Sequence, residues 1–238
     1  MIKLSKVTKA FKNKTVINNI DLDINEGEII AIIGPNGSGK TTLFNLIMEN
    51  IHADKGEVEI KVDGHILKDK VEKLSKMGFL QSDSVLTKYL SGYDHLKFLA
   101  NIHNKTEKDI KNIILFFDLE EFIHNKIQNY SLGMKQRLLV SLAVIHNPKI
   151  LVFDEPFNGI DYENSNKLKK LFDIYKKRGC TIVFSSHTLS DIDRISDRVI
   201  FLKEGIIQKE VIINKEEHKN LELTQTEKYY NEIYEETL

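Results

Sequence analysis

Gly34-Pro35-Asn36-Gly37-Ser38-Gly39-Lys40-Thr41-Thr42 decides how this chain reads, because it carries G-x-x-x-x-G-K-[ST] at Gly34, Gly39, Lys40 and Thr41. Glycines let the backbone wrap closely around an anion, so that amide N–H groups rather than side chains point inward. The stretch entering the loop, Ile29, Ile30, Ala31, Ile32 and Ile33, is an unbroken apolar run typical of a central strand covered on both faces. The stretch leaving it places Leu43, Leu46 and Ile47 at helical spacing. The positive end of that helix aims at the same spot as the loop amides. Lys40 then supplies a point charge for the β- and γ-phosphates of a nucleotide, and the Thr41 hydroxyl is a ligand for Mg2+.

A phosphate loop alone does not separate ATPases from GTPases or small-molecule kinases. Ile150-Leu151-Val152-Phe153-Asp154-Glu155-Pro156 adds an apolar strand ending in two adjacent carboxylates. Such a pair can simply close a strand. Beside a phosphate loop it reads as chemistry: Asp154 holds Mg2+ through its water shell, and Glu155 orients and deprotonates the attacking water. A guanine-specifying Asn-Lys-x-Asp is absent, since Asn104-Lys105-Thr106-Glu107 has the wrong acid. The nucleotide is therefore read as ATP.

The rest of the chain fits around these two segments. Ile2 to Val7 and Thr15 to Ile24 read as strands, and Val58, Ile60 and Val62 alternate ahead of an Asp63-Gly64 hairpin turn. From about residue 86 to 130 the strand runs stop, and Leu96, Leu99, Ala100 and Ile110, Ile113, Ile114, Phe117 give a helical insert. Strand Ile150–Phe153, helix Ser165–Lys177, strand Thr181–Ser185, helix Leu189–Ile195 and strand Arg198–Leu202 follow, an alternation that implies parallel pairing. With 238 residues, 41% apolar and 29% charged, the chain is sized for an α/β protein with a core that needs no disulfide or metal. The lone Cys180 and the unremarkable histidine spacing predict no disulfide framework and no zinc site.

A net charge of −1 gives no global basic field, so no nucleic-acid partner is expected. Three lysines against seven glutamates leave residues 214–238 at −4 and the body before them at +3. The expected organisation is an ATPase domain over 1–213 and an acidic helical tail over 214–238, whose Tyr229, Tyr230 and Tyr234 pack on the body or across a dimer. The longest apolar stretch, Leu138 to Ile145, is far short of the ~18–20 residues that cross a bilayer, and Met1 to Phe11 has no apolar core for a secretory signal. A cytoplasmic chain is expected.

Tyr130-Ser131-Leu132-Gly133-Met134-Lys135-Gln136-Arg137, just ahead of the Asp154 strand, resembles the signature of ABC-type ATPases. Asn158-Gly159-Ile160-Asp161 looks like that family's D-loop, with Asp161 its acid, and His187 in Ser185-Ser186-His187 looks like its switch histidine. Phe11 resembles the aromatic that stacks on adenine, although plain packing would also suit it. The resemblance covers Ile2 to Glu210. It implies a mainly parallel sheet with flanking helices, a small antiparallel subdomain and an inserted helical subdomain. It also implies that Ser131, Leu132, Gly133, Met134 and Gln136 face the nucleotide of a second subunit, so that two subunits, identical or not, sandwich two ATP molecules. Taken alone, Ser131 is simply a helix N-cap.

Two departures stand out. Leu132 and Met134 occupy positions where Gly and Gln are commonest in the family. In Gly78-Phe79-Leu80-Gln81-Ser82, Gln81 falls where the family has proline and Ser82 where it has the glutamine that reaches Mg2+ and water. Gln81 is preferred for that role, because serine is too short. The signature variant is similar to one common among bacterial drug, antibiotic and lantibiotic-immunity exporters. The resemblance thus implies a separate transmembrane permease as partner, docking near Gln81 to Tyr93, with this chain peripheral on the inner face of the cell membrane. The alternative within the family is a soluble ATPase acting without a membrane partner.

Overall fold

Strand β3 (Ile29–Ile33) divides the interior in two. In this computed structural model, which describes residues 1–12, 14–80, 83–186, 188–189, 192–214 and 223–234, Ile29, Ala31 and Ile33 join one core with Phe153, Phe172, Phe184 and Phe201. Ile30 and Ile32 point the other way, to Leu43, Phe44, Leu46 and Ile47 of α1 (Lys40–Ile47) and to an antiparallel sheet behind it. A strand covered on both faces has no solvent side, which is why its sequence is apolar throughout.

The central sheet has six strands in the order β10-β9-β3-β8-β7-β6, namely β6 (Met77–Leu80), β7 (Ile150–Phe153), β8 (Thr181–Ser185), β9 (Arg198–Lys203) and β10 (Ile206–Ile212) around β3. Five run parallel, and β10 alone is antiparallel to its neighbour β9. The edge strands β6 and β10 escaped the sequence expectation, because each pairs on one side only and lacks a strong apolar run. In β6 the reason is visible at Gly78, where a β-carbon would lie 2.0 Å from the Ala143 carbonyl oxygen, so close approach to a helix rather than apolar content defines the strand.

The second sheet, β2-β1-β4-β5, is antiparallel and comprises β1 (Ile2–Phe11), β2 (Lys14–Ile24), β4 (Lys55–Val62) and β5 (His65–Ile66). In β2 the buried Ile20, Leu22 and Ile24 alternate with exposed Asp21 and Asp23. β1 runs four residues beyond the expected Val7, past a register irregularity beside Lys6, whose φ is 50°. The short helix α2 (Lys70–Lys76), which buries none of its residues, was also unforeseen.

Between β6 and β7 the helical insert holds α3 (Gly92–Ile102) and α4 (Glu107–Phe116) ahead of α5 (Leu132–Val144). Ser91 with Asp94 and Thr106 with Asp109 form reciprocal caps that start α3 and α4, each contributing about 1 kcal/mol. Arg137 of α5 closes the insert onto the core: its guanidinium donates to the Phe117 and Asp118 carbonyls and lies 4.7 Å from the Phe122 ring centre. Helix α6 (Tyr162–Lys177) begins three residues earlier than expected because Asp161 caps it. Of the expected helix Leu189–Ile195, α7 (Ile192–Ile195) is described, while Ser190 and Asp191 lie outside the described residues.

After β10 comes α8 (Gln225–Tyr234), seated on the body. Tyr229 and Tyr234 place their rings 6.3 and 6.4 Å from that of Phe201. Buried Asp193 of α7 accepts hydrogen bonds from the Thr226 backbone amide and hydroxyl. Among the described residues no helix is long and apolar enough to cross a membrane.

Candidate active site

The loop from Gly34 to Gly39 joins β3 to α1 and is shaped by contacts that exclude side chains. A β-carbon on Gly34 would lie 2.1 Å from the Leu202 carbonyl oxygen, and Gly39 holds a φ of 111° that L-residues avoid. Lys40, the first residue of α1, is buried and turns back across the loop, its ammonium donating to the Gly34 carbonyl at 2.7 Å and the Pro35 carbonyl at 3.3 Å. Burial lowers the pKa of that ammonium, and the nearby Glu155 and Asp154 charges oppose the shift. Among the described residues the buried Ser38 hydroxyl has no hydrogen-bond partner. No acidic residue occupies the first turn of α1, so the helix end and Lys40 keep a positive character. An orphaned donor, a buried cation and closely packed glycines suit an oxyanion, and a polyphosphate fits them.

Asp154 and Glu155 follow the last residue of β7. Thr41 donates its hydroxyl to Asp154 Oδ2 at 2.6 Å, which brings together the two oxygen donors expected to hold Mg2+. All-oxygen donors are what this hard cation selects. Asp154 Oδ1 accepts from the Ser185 hydroxyl at 2.7 Å, and the same hydroxyl accepts the Glu155 amide N–H at 2.8 Å. Glu155 itself has a φ of 52°, the left-handed region rarely used by a residue with a β-carbon. Lys40, Thr41, Asp154 and Glu155 therefore lie in one place. Ser185 joins them although the sequence reading gave it no role, the available signal being one hydroxyl at the end of the otherwise apolar Ile182-Val183-Phe184 run.

Of the other expected residues, Ser131 to Gln136 belong to the start of α5, Asp161 to the start of α6 and Phe11 to the end of β1. Ser131 accepts the Met134 amide at 3.2 Å and so caps α5, with Leu132 61% exposed beside it. Gly133 approaches the Gly159 carbonyl of the segment after β7, where an added β-carbon would sit 3.3 Å away. Gln136, expected among the residues facing a second subunit, stands one turn into the same helix. It is buried, and its amide donates to the Pro156 carbonyl of its own chain at 3.1 Å, because the fifth position after Ser131 lies on the core side of the helix. Asp161 accepts the Asn164 amide at 2.8 Å as the cap of α6. Phe11 stands 46% exposed at the end of β1 with the Lys9 ammonium 5.5 Å from its ring centre. Gln81, Ser82 and His187 lie outside the described residues.

A phosphate loop between a central parallel strand and a helix, facing a carboxylate pair at the end of a nearby strand, defines a P-loop nucleotide hydrolase. The model of the ABC transporter family matches residues 17–158. The uncharacterized ABC transporter ATP-binding protein YhcH of Bacillus subtilis is 35% identical over 86% of this chain and 68% of its own length. The lantibiotic transport ATP-binding protein SrtF of Streptococcus pyogenes is 32% identical over 88% of this chain and 91% of its own. A dimeric structure of a post-hydrolysis state of the ATP-binding cassette MJ0796, bound to ADP and Pi, superposes with a TM-score of 0.80 at 27% identity, covering 90% of this chain and 99% of that one. The chain belongs to the ABC transporter family as an ATP-binding subunit, and it is an ATPase.

Proposed function

We propose that this subunit binds ATP between two ATPase subunits and hydrolyses it to drive a separate transmembrane permease that exports a drug, antibiotic or peptide. The observation that carries the hydrolytic reading is the Thr41–Asp154–Ser185–Glu155 hydrogen-bond chain beside buried Lys40. Export is supported by the likeness to SrtF, a lantibiotic transport ATP-binding protein. The subunit sits peripherally on the inner face of the membrane through its permease. Its ATPase domain spans 1–213 with the insert at about 86–130, and 214–238 form the tail.

Gly34 to Gly39 and the start of α1 wrap the phosphates with backbone amides, while Lys40 exchanges its contacts to Gly34 and Pro35 for β- and γ-phosphate oxygens. Thr42 follows in the first turn, and Phe11 covers the adenine. Thr41 and Asp154 would hold Mg2+, which would supply positive charge against that developing on the phosphates. Glu155 accepts the proton of the attacking water, with Gln81 and His187 as further contacts to water and γ-phosphate. Ser131, Leu132, Gly133 and Met134 present the end of α5 to the other subunit's nucleotide, and Asp161 borders the same interface. Gln136 instead braces α5 against Pro156, next to the base.

The test is Glu155→Gln, which keeps shape and removes the base. Hydrolysis should fall at least about 100-fold, the lower range for a general base, while ATP produces stable dimers by light scattering. A parent-like rate in that variant defeats the assignment. Detergent-solubilised membranes should yield the chain together with an integral membrane protein; recovery only with soluble partners defeats the transport reading.

A further inference from the structure

Ser185 ends β8 as a hydroxyl that is 0% exposed and set between two residues of the site. Parallel pairing of Phe153 with Phe184 brings the residues that follow them, Asp154 and Ser185, side by side. The hydroxyl donates to Asp154 Oδ1 at 2.7 Å and accepts the Glu155 amide at 2.8 Å. We propose that Ser185 is a positioning residue for ATP hydrolysis, fixing the Asp154 carboxylate and holding the Glu155 backbone in the turn that aims its side chain at water. The proposal rests on Glu155 being the base.

A serine hydroxyl has one proton and two lone pairs. Because the proton is committed to Asp154, only the lone pairs remain for the Glu155 amide, and donation to a carboxylate makes the oxygen a better acceptor. The two bonds therefore reinforce each other. Glu155 adopts a φ of 52°, which a residue with a β-carbon keeps only when its surroundings over-determine it. The Ser185 bond supplies one such restraint. With Thr41 donating to Oδ2 at 2.6 Å, Asp154 is held at both oxygens and its rotamer is fixed. Neighbouring Ser186 is no substitute, since its hydroxyl accepts the Thr188 amide instead.

Steady-state hydrolysis of MgATP and binding of ATP are measured for the full chain and for Ser185→Ala, Ser185→Thr and Glu155→Gln. Ser185→Ala should lower kcat at least tenfold, leave the KM for ATP within twofold and bind ATP as the parent does. Ser185→Thr, which restores the hydroxyl, should recover kcat to within threefold. Parent-like kcat in Ser185→Ala beside an inactive Glu155→Gln overturns the role of Ser185 alone. So does a loss of ATP binding that matches the loss of kcat, or a Thr variant as slow as the Ala variant. An active Glu155→Gln overturns the reading of the base, and with it this one.

Discussion

Gly34 is the residue on which the phosphate loop closes. Its Cα faces the Leu202 carbonyl so closely that a β-carbon would stand 2.1 Å from the oxygen, a backbone atom that cannot step aside as a side-chain tip can. Gly34→Ala should therefore displace either the loop or β9. The expected cost is about 2 kcal/mol in denaturant unfolding, as for other overpacked sites, together with at least tenfold weaker ATP binding by titration. Unchanged affinity and midpoint would show that the loop shifts freely. Lys40, Thr41, Asp154 and Glu155 were legible at this scale, because phosphate and Mg2+ chemistry dictates residue type and the loop dictates spacing. Ser185 was not legible, since a serine at a strand end carries no message until the neighbouring strand is known.

At the scale of elements, the junction between the helical insert and the sheet contains a pH-sensitive contact. His103, which ends α3, stacks on His146 after α5 with ring centres 4.3 Å apart and planes 17° from parallel. His146 Nε2 lies 3.1 Å from the Met77 carbonyl of β6; a carbonyl only accepts, so Nε2 carries the proton. Nδ1 is then the unprotonated nitrogen, buried with no partner among the described residues. Burial first, then the His103 and Lys105 charges, push the His146 pKa down to about 4 from the ordinary 6.5, against the Met77 carbonyl, which raises it. The unfolded chain thus binds a proton below pH 6.5 that the folded chain refuses until about pH 4. Stability present above pH 6.5 is lost as pH falls through that window, by about 2 kcal/mol once solvent screening is allowed for. His146→Gln keeps an N–H for Met77 and removes the titration, so its unfolding free energy should fall less steeply than the parent's between pH 6.5 and 4. Parallel curves in chemical denaturation would rule His146 out. The helices here were readable from apolar spacing, whereas the stacked histidines, far apart in sequence, were not.

For the whole molecule, the distinctive feature is how the last helix is tied to the nucleotide end of the sheet. The Tyr234 hydroxyl lies 3.0 Å from the Leu202 carbonyl and 3.3 Å from that of Ile33, the residue before the phosphate loop. Lys203 donates to the Ile233 carbonyl at 3.0 Å, and the Lys209 ammonium sits 3.9 Å from the Tyr229 ring centre. Burial raises the Tyr234 pKa, so the phenol stays protonated and able to donate. Tyr234→Phe should cost about 1 kcal/mol in unfolding free energy, as a lost neutral hydrogen bond does, and leave kcat within about twofold. A variant as stable as the parent would mean that these carbonyls are served equally well without the phenol.

Sequence by itself determined the chemistry and the central architecture: an anion-wrapping loop, a carboxylate pair, strands alternating with helices, and an inserted helical segment. These are set by short-range geometry, in which neighbours along the chain decide backbone shape and burial period. Tertiary structure alone decided which strands lie at the edges and that Gln136 turns inward to Pro156. It also decided that Ser185 joins Asp154 to the Glu155 amide, and that Tyr234 reaches the base of the loop. Each of these joins residues distant in sequence, and such contacts exist only once the order and register of the sheet have brought the chain back on itself.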